Sequence, residues 1–148
     1  MNQRAFLEQI ARRAMREQGL EPDFPDAALA QAAQATNGES NGLRDLRSLP
    51  WSSIDNDESK DLDQLEVIQS STNGLSRVLV AIADVDALVR QGGAVDDHAR
   101  QNTTSVYTTA RVFPMLPEAL STDKTSLVQG SDRAAIVMQM DVDADGTV

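Results

Sequence analysis

The residues most able to do chemistry lie between positions 55 and 66. Six acidic side chains fall within these twelve positions: Asp55, Asp57, Glu58, Asp61, Asp63 and Glu66. Apolar residues flank the run, including Trp51 before it and Val67 after it, and a solvated acidic tail would not be framed in this way. Carboxylates held this closely repel one another, and a divalent cation would remove the repulsion. Hard oxygen ligands of this kind suit Mg²⁺, which also binds the phosphates of substrates.

A polar loop between two strands is the alternative interpretation of the acidic run, because acidic loops are common. The spacing of Asp61 and Asp63 nevertheless favours a shared role. Side chains two residues apart on an extended segment point to the same face, so these two carboxylates are expected to face the same way.

Four blocks of residues follow one another along the chain. The first is Ser53-Ile54-Asp55 with Asp61-Leu62-Asp63, and the second is Val80-Ala81-Ile82-Ala83-Asp84-Val85. The third is Ser105-Val106-Tyr107 with Pro114-Met115-Leu116-Pro117, and the fourth is Leu120-Ser121 with Ser126-Leu127. In type, spacing and order they resemble the RNB family, the ribonuclease II type of 3′-to-5′ exoribonuclease. The resemblance covers about residues 43 to 148, and four blocks in the right order make it specific.

The resemblance implies a Mg²⁺-dependent site, in which Mn²⁺ could take the place of Mg²⁺. It makes Asp55, Asp61 and Asp63 the catalytic residues and metal ligands, with Gln64 as a further ligand. It places Tyr107 beside the 3′-terminal nucleotides of single-stranded RNA, where the ring would stack on a base. A core or rim position is the ordinary alternative for this tyrosine. The implied reaction releases nucleoside 5′-monophosphates one at a time.

Three positions depart from the pattern of the family. Gln64 stands where the family has its fourth acidic residue, Ala81 where histidine is usual, and Asn102 where arginine precedes the third block. An amide oxygen can bind a metal but supplies no charge. The alternative function is therefore a non-catalytic, truncated or degenerate RNB module that acts in metal, RNA or protein binding.

The resemblance also implies that the family continues beyond this chain. The catalytic arginine and glutamate of the family and its RNA-binding S1 domain would follow Val148. We therefore expect an N-terminal part of the catalytic domain, with weak activity at best when it stands alone. Asp57 and Glu58 match no ligand position of the family and are expected to be solvated.

Composition excludes several classes of function. The 148 residues include no cysteine and a single histidine, His98, which argues against disulfides, thiolate zinc sites and triad hydrolases. A net charge of −10 argues against a freestanding nucleic-acid binder, although bound cations and a basic channel in the missing part would offset it. No apolar run is long enough to span a membrane. We expect a cytoplasmic protein that binds no DNA, with His98 on a helix surface and Trp51 in the core.

The periodicity predicts an α+β fold with N-terminal helices followed by a mainly antiparallel sheet. Residues 1–42 form a helical arm and linker, and residues 43–148 form the N-terminal portion of the catalytic domain. The predicted helices span residues 3–18, 27–35, 85–91 and 95–104, with Asp26 and Asp84 as caps for the second and third. The predicted strands span residues 62–68, 75–83, 111–113 and 133–142, with an Asn-Gly turn at residues 71–74.

The Asp-rich end of the last strand, residues 141–146, has two interpretations. Its alternating aspartates match the first half of an EF-hand calcium loop. A hairpin turn is favoured instead, because no helix is predicted before it and the twelfth loop position would be residue 152.

Overall fold

The computed structural model describes residues 3–36, 42–70 and 74–148. Its elements are α1 (Gln3–Glu17), α2 (Asp26–Gln34), β1 (Gln64–Ser70), β2 (Ser76–Ala83), α3 (Ala94–Asn102), β3 (Val106–Tyr107), β4 (Val112–Phe113), a short π-helix (Ala119–Lys124) and β5 (Ala135–Val142). Unit 1 combines Met1–Thr36 with Val89–Leu120, and unit 2 combines Asn37–Leu88 with Ser121–Val148. Across the described ranges, no helix is both long and apolar enough to cross a membrane.

Helix α1 of unit 1 confirms the first predicted helix. It ends before Gly19, which has a φ of 77°, a left-handed conformation that glycine adopts without strain. The amide of Leu20 then donates to the carbonyl of Met15 at 2.9 Å. This bond satisfies one of the carbonyl groups that a helix end leaves free. Met15 is also the buried residue of the helix.

Helices α2 and α3 pack through a side-chain cap in unit 1. The Gln31 side-chain oxygen of α2 accepts the Val95 amide at the start of α3, at 3.0 Å. A Cβ at Gly93 would lie 2.9 Å from the Arg90 carbonyl oxygen and 2.6 Å from the Gln31 side-chain nitrogen, so only glycine fits beside this cap. The prediction that Asp26 caps α2 is wrong, because Pro25 occupies the cap position in an extended conformation. Asp26 is instead the first residue of the helix, where its charge still favours the helix dipole.

A short hairpin completes unit 1 and confirms the predicted strand near residue 112. Strands β3 and β4 pair antiparallel, with Tyr107 opposite Val112. The guanidinium groups of Arg12 and Arg111 lie 5.5 and 5.4 Å from the centroid of the buried Phe113 ring. Glu8 of α1 accepts a hydrogen bond from each of these arginines at 3.1 Å, which ties the hairpin to the helix.

The sheet of unit 2 has the order β1-β2-β5, and both pairings are antiparallel, as predicted. The buried side chains of Val67, Leu79 and Ala81 line one face. The predicted strands at residues 62–68, 75–83 and 133–142 are present, and β1 begins two residues later than expected. The reason is that the Leu62 backbone bonds to residues 126 and 127 instead of to β2.

The predicted helix at residues 85–91 is wrong, because residues 85–89 form turns and bends. The Asp84 carboxylate accepts the Ala87 amide at 3.2 Å, so it caps a single turn. Gly92 and Gly93 follow, and a helix this short cannot offset its nucleation cost. The predicted helix at residues 95–104 is confirmed as α3.

Two predictions fall partly outside the described residues. They are the linker, at its residues 37–41, and the Asn-Gly turn, at its residues 71–73. The division into residues 1–42 and 43–148 follows the chain, whereas each compact unit combines two separate segments. The boundary at residue 42 stays a prediction.

Candidate active site

Asp55 is positioned by a strand-like contact at the edge of the sheet. Ser52 pairs with Glu66 of β1 through two backbone hydrogen bonds of 2.8 and 2.9 Å. One residue further on, the Ser53 hydroxyl donates to the Asp55 carboxylate at 2.7 Å and accepts the Asp55 amide at 3.0 Å. The small hydroxyl side chain that the first block requires therefore orients the aspartate two residues after it.

A cavity of about 230 Å³ opens beside this contact. Its lining residues are Ile54, Asp55, Asp63, Gln64 and Glu66. The structure thus brings two of the three predicted aspartates to one cavity, together with Gln64. Asp61 is exposed and is not part of the lining.

Glu66 is a lining residue that matches no predicted ligand position. Its Oε1 accepts a short hydrogen bond from the Gln64 side-chain amide. Its Oε2 is buried, and no hydrogen-bond partner for it occurs among the described residues. The signal that could have identified Glu66 is its parity, because residues 64 and 66 lie on the same face of β1.

The chemistry of this donor set fits Mg²⁺. Carboxylate oxygens of Asp55, Asp63 and Glu66 and an amide oxygen of Gln64 are hard ligands of the type that Mg²⁺ prefers. Within residues 3–36, 42–70 and 74–148, however, no three acidic or histidine side chains are close enough together to hold a metal ion. The residue types suit the ion, and the side chains would have to converge to bind it.

Tyr107 projects from the hairpin of unit 1 and is 71% exposed, so it is not a core residue. The turn beside it is fixed by Thr108, whose hydroxyl donates to the Arg111 carbonyl at 2.6 Å and accepts the Arg111 amide at 3.0 Å. Ser105, two residues before the tyrosine, accepts the Met115 amide at 3.0 Å. An exposed ring on a hairpin that is fixed by hydrogen bonds can stack on a base without rearrangement of the backbone.

His98 is buried, and the expectation that it lies on a helix surface is wrong. Its side chain is 6% exposed, and its ring centroid lies 4.3 Å from that of Phe24. Burial lowers the pKa of His98, and the nearby charge of Glu21 opposes this shift. The buried residues of α3 include Val95 and Asn102, a helical spacing that could have revealed this face.

Asn102 has a structural role in this chain. Its Oδ1 accepts the Glu21 amide at 2.8 Å, and its Nδ2 donates to the Glu21 carbonyl at 2.9 Å. The same Nδ2 lies 3.1 Å from His98 Nε2. Because the Glu21 backbone sets the orientation of the amide, Nδ2 is the donor and His98 Nε2 must accept. Trp51, which we expected in the core, is half-buried, and its indole N–H donates to the Leu46 carbonyl at 2.9 Å.

The Asp-rich turn is stabilised by hydrogen bonds between its own residues. Asp143 Oδ1 accepts the amides of Asp145 and Thr147, both at 2.9 Å. Asp141 forms two hydrogen bonds with Arg77 across the sheet, which lower the pKa of the Asp141 carboxylate. The described residues before this turn form strand β5 and not a helix, which agrees with the turn interpretation.

The sequence blocks and the antiparallel sheet agree with comparisons to known proteins. The model of the RNB domain matches residues 43–148. This chain belongs to the RNB family.

Two curated relatives carry the name ribonuclease R. The protein of Thermotoga maritima is 36% identical over 130 residues, which cover 85% of this chain and 18% of the relative. The protein of Escherichia coli K12 is 38% identical over 128 residues, which cover 86% of this chain and 14% of the relative. The chain therefore spans less than a fifth of the length of either relative.

A similar solved structure is Mycoplasma genitalium RNase R in complex with ribose-methylated single-stranded RNA. It superimposes with a TM-score of 0.79 at 28% identity, over 87% of this chain and 21% of that protein. The apo form of the same protein gives a TM-score of 0.78. This RNB chain therefore has the mixed helix and antiparallel-sheet fold of part of RNase R.

Proposed function

We propose that this chain supplies acidic residues to the active site of a longer Mg²⁺-dependent exoribonuclease. The substrate is single-stranded RNA, which is hydrolysed from its 3′ end to nucleoside 5′-monophosphates. The observation that carries the proposal is the cavity lined by Asp55, Asp63, Gln64 and Glu66, which lies within the segment matched by the RNB model. The names of the relatives and the RNA bound to the M. genitalium structure support the substrate class. A cytoplasmic location is part of the same proposal.

The site residues predicted from the sequence each have a task in this proposal. Asp55 and Asp63 would hold the metal from the cavity lining, Asp61 would join them from outside the lining, and Gln64 would add a neutral oxygen. When bound, Mg²⁺ supplies a water of lowered pKa and stabilises negative charge on the scissile phosphate. Ser53 keeps the Asp55 carboxylate oriented through the bond of 2.7 Å. On its own hairpin, Tyr107 offers a sequence-tolerant stacking surface for an RNA base.

Hydrolysis of a 5′-labelled single-stranded RNA tests the proposal. The assay uses this chain and its longer parent protein, with Mg²⁺, with Mn²⁺ and with chelator. We expect metal-dependent laddering from the 3′ end by the parent, and little or none by this chain. Asp63→Asn in the parent should lower the rate by at least about a hundredfold, because it removes charge from a metal ligand.

A matched control is Asp57→Asn, since Asp57 is exposed and lies outside the cavity lining. It removes the same charge from the same acidic run and should leave the rate of RNA hydrolysis within about twofold. Equal rates for Asp63→Asn and the unsubstituted parent would refute the assignment.

The second candidate is a non-catalytic RNB module that binds metal, RNA or a protein. The observation that favours it is the hydrogen bond from the Gln64 amide to Glu66, which occupies one carboxylate oxygen of the cavity. Its discriminator is the same assay, because metal binding or RNA binding by a parent that hydrolyses nothing would support the module.

A further inference from the structure

A single buried hydroxyl binds both peptide groups that flank Asp61. Ser126 is 1% exposed. Its Oγ donates to the Lys60 carbonyl at 2.6 Å and accepts the Leu62 amide at 3.0 Å. One of these groups lies in the peptide bond before Asp61 and the other in the peptide bond after it. The hydroxyl uses its proton and a lone pair at once, as a hydroxyl can.

The following backbone groups are also held. The Leu127 amide donates to the Leu62 carbonyl at 2.7 Å, and the Ala83 amide donates to the Asp63 carbonyl at 2.9 Å. Both aspartates are nevertheless exposed. The segment from residue 60 to residue 63 therefore has a fixed backbone that carries solvent-exposed carboxylates.

We propose that Ser126 is a positioning residue for Asp61. This inference rests on the proposed function, in which Asp61 binds metal. The bridge orders the Asp61 backbone before binding, so that the ion has to order only the side chain. Ordering the backbone of one residue during binding would weaken metal affinity by roughly tenfold, and the bridge avoids that loss. A serine fits the task because a buried hydroxyl of this size can both donate and accept.

Ser126→Ala in this chain is the test, with two independent readouts. The first is hydrogen exchange of the Leu62 amide, measured by nuclear magnetic resonance. Loss of its acceptor should speed the exchange by roughly fivefold to tenfold. The second is Mn²⁺ affinity, measured from the electron paramagnetic resonance signal of the free ion. We expect the affinity to fall by about tenfold.

Two control variants separate positioning from general destabilisation. Ser131→Ala removes an exposed hydroxyl from the same unit and should change neither readout. Leu127→Ala truncates a side chain that is 8% exposed and destabilises unit 2, while it keeps its backbone amide and the Ser126 hydroxyl. At a temperature at which each variant is folded, Leu127→Ala should retain the Mn²⁺ affinity of the unsubstituted chain.

The outcomes distinguish this inference from the proposed function. Unchanged Leu62 exchange in Ser126→Ala would overturn the bridge, and faster exchange with unchanged Mn²⁺ affinity would overturn its role in metal binding. An equal loss of affinity in Leu127→Ala would also overturn that role. If the unsubstituted chain binds no Mn²⁺, the metal site fails and the positioning role fails with it, while the exchange rates still report whether the backbone contact exists.

Discussion

The buried side chain of Asn102 is expected to stabilise unit 1 through its hydrogen bonds. Replacement of Asn102 by alanine measures this contribution to the free energy of unfolding. The side chain is 2% exposed and takes part in three hydrogen bonds, two with Glu21 and one with His98. At about 1 kcal/mol each, their loss would cost about 3 kcal/mol. Glu21 is exposed, so water can replace part of the lost hydrogen bonding to its backbone. We therefore expect the free energy of unfolding to fall by about 2 kcal/mol. For a chain of this size the unfolding temperature should fall by about 4–8 °C.

The assay can report the two units separately. The three α-helices of the described residues all lie in unit 1, so far-ultraviolet circular dichroism follows that unit. Trp51 is the single tryptophan and lies in unit 2, so its fluorescence is an internal control. A loss below about 0.5 kcal/mol in the dichroism transition would refute the anchoring argument, because a surface substitution gives that much.

The pH dependence of stability tests the orientation of the same bond. His98 Nε2 accepts from Asn102, so protonation would place one donor against another. The pKa of His98 is lowered in the folded state, chiefly by burial, so the unfolded chain binds a proton more readily. Stability is therefore complete above the unfolded pKa of about 6.5 and is lost as pH falls below it, by at most about 1.4 kcal/mol per pH unit. His98 is the single histidine, so little else titrates between about pH 5.5 and 7.5.

Asn102→Asp should reverse the sign of this dependence. A carboxylate in that place would accept from the imidazolium and raise the pKa of His98. The added stability would be present below about pH 6.5 and would be lost as pH rises through the raised pKa. Thermal unfolding of both proteins, followed by circular dichroism over this range, should give slopes of opposite sign. The same slope in both would contradict the assigned orientation.

Three further predictions concern the cavity, the turn and the hairpin. Gln64→Glu should destabilise the metal-free chain by about 1 kcal/mol, because a repulsive pair of carboxylates then replaces the hydrogen bond to Glu66. The same variant should tighten Mn²⁺ binding by about tenfold, measured from the electron paramagnetic resonance signal of the free ion. Weaker binding would show that residue 64 does not face the ion. Asp143→Ala should lower the free energy of unfolding by about 1–2 kcal/mol, because two hydrogen bonds from backbone amides are lost. Calcium should not raise the unfolding temperature of the unsubstituted chain. A calcium-dependent rise would favour the EF-hand interpretation instead. Tyr107→Ala in the parent should weaken single-stranded RNA binding by about 1–3 kcal/mol, measured by fluorescence anisotropy. Val112→Ala on the paired strand is the control and should leave RNA binding unchanged. Equal effects of the two substitutions would indicate damage to the hairpin instead of loss of stacking.

Several features of this protein follow from local sequence alone. The apolar runs within residues 76–83 and 135–142 are a property of neighbouring residues, and both strands form there. Gly19 ends α1 for an equally local reason, since glycine adopts a positive φ without strain. The four blocks identified the family because side-chain type and spacing are retained in the linear sequence, and the RNB match over residues 43–148 confirms that prediction.

Other features depend on partners that are distant along the chain. The start of β1 and the buried position of His98 were both predicted wrongly. Leu62 is bound by Ser126, 64 residues away, and α3 buries His98 against Phe24 of a preceding turn. The cap of α3 likewise comes from Gln31, 64 residues earlier. Periodicity cannot show which distant segment supplies such a bond.

The family, the residue types of the candidate site and most of the secondary structure could be predicted from the sequence, because these depend on local pattern. The folded structure was needed to show which acidic residues share a cavity. It placed Glu66 there beside Asp55 and Asp63 and left Asp61 out of the lining. The physical reason is that strand pairing and buried hydrogen bonds between distant segments set the direction of each carboxylate, and spacing along the chain does not.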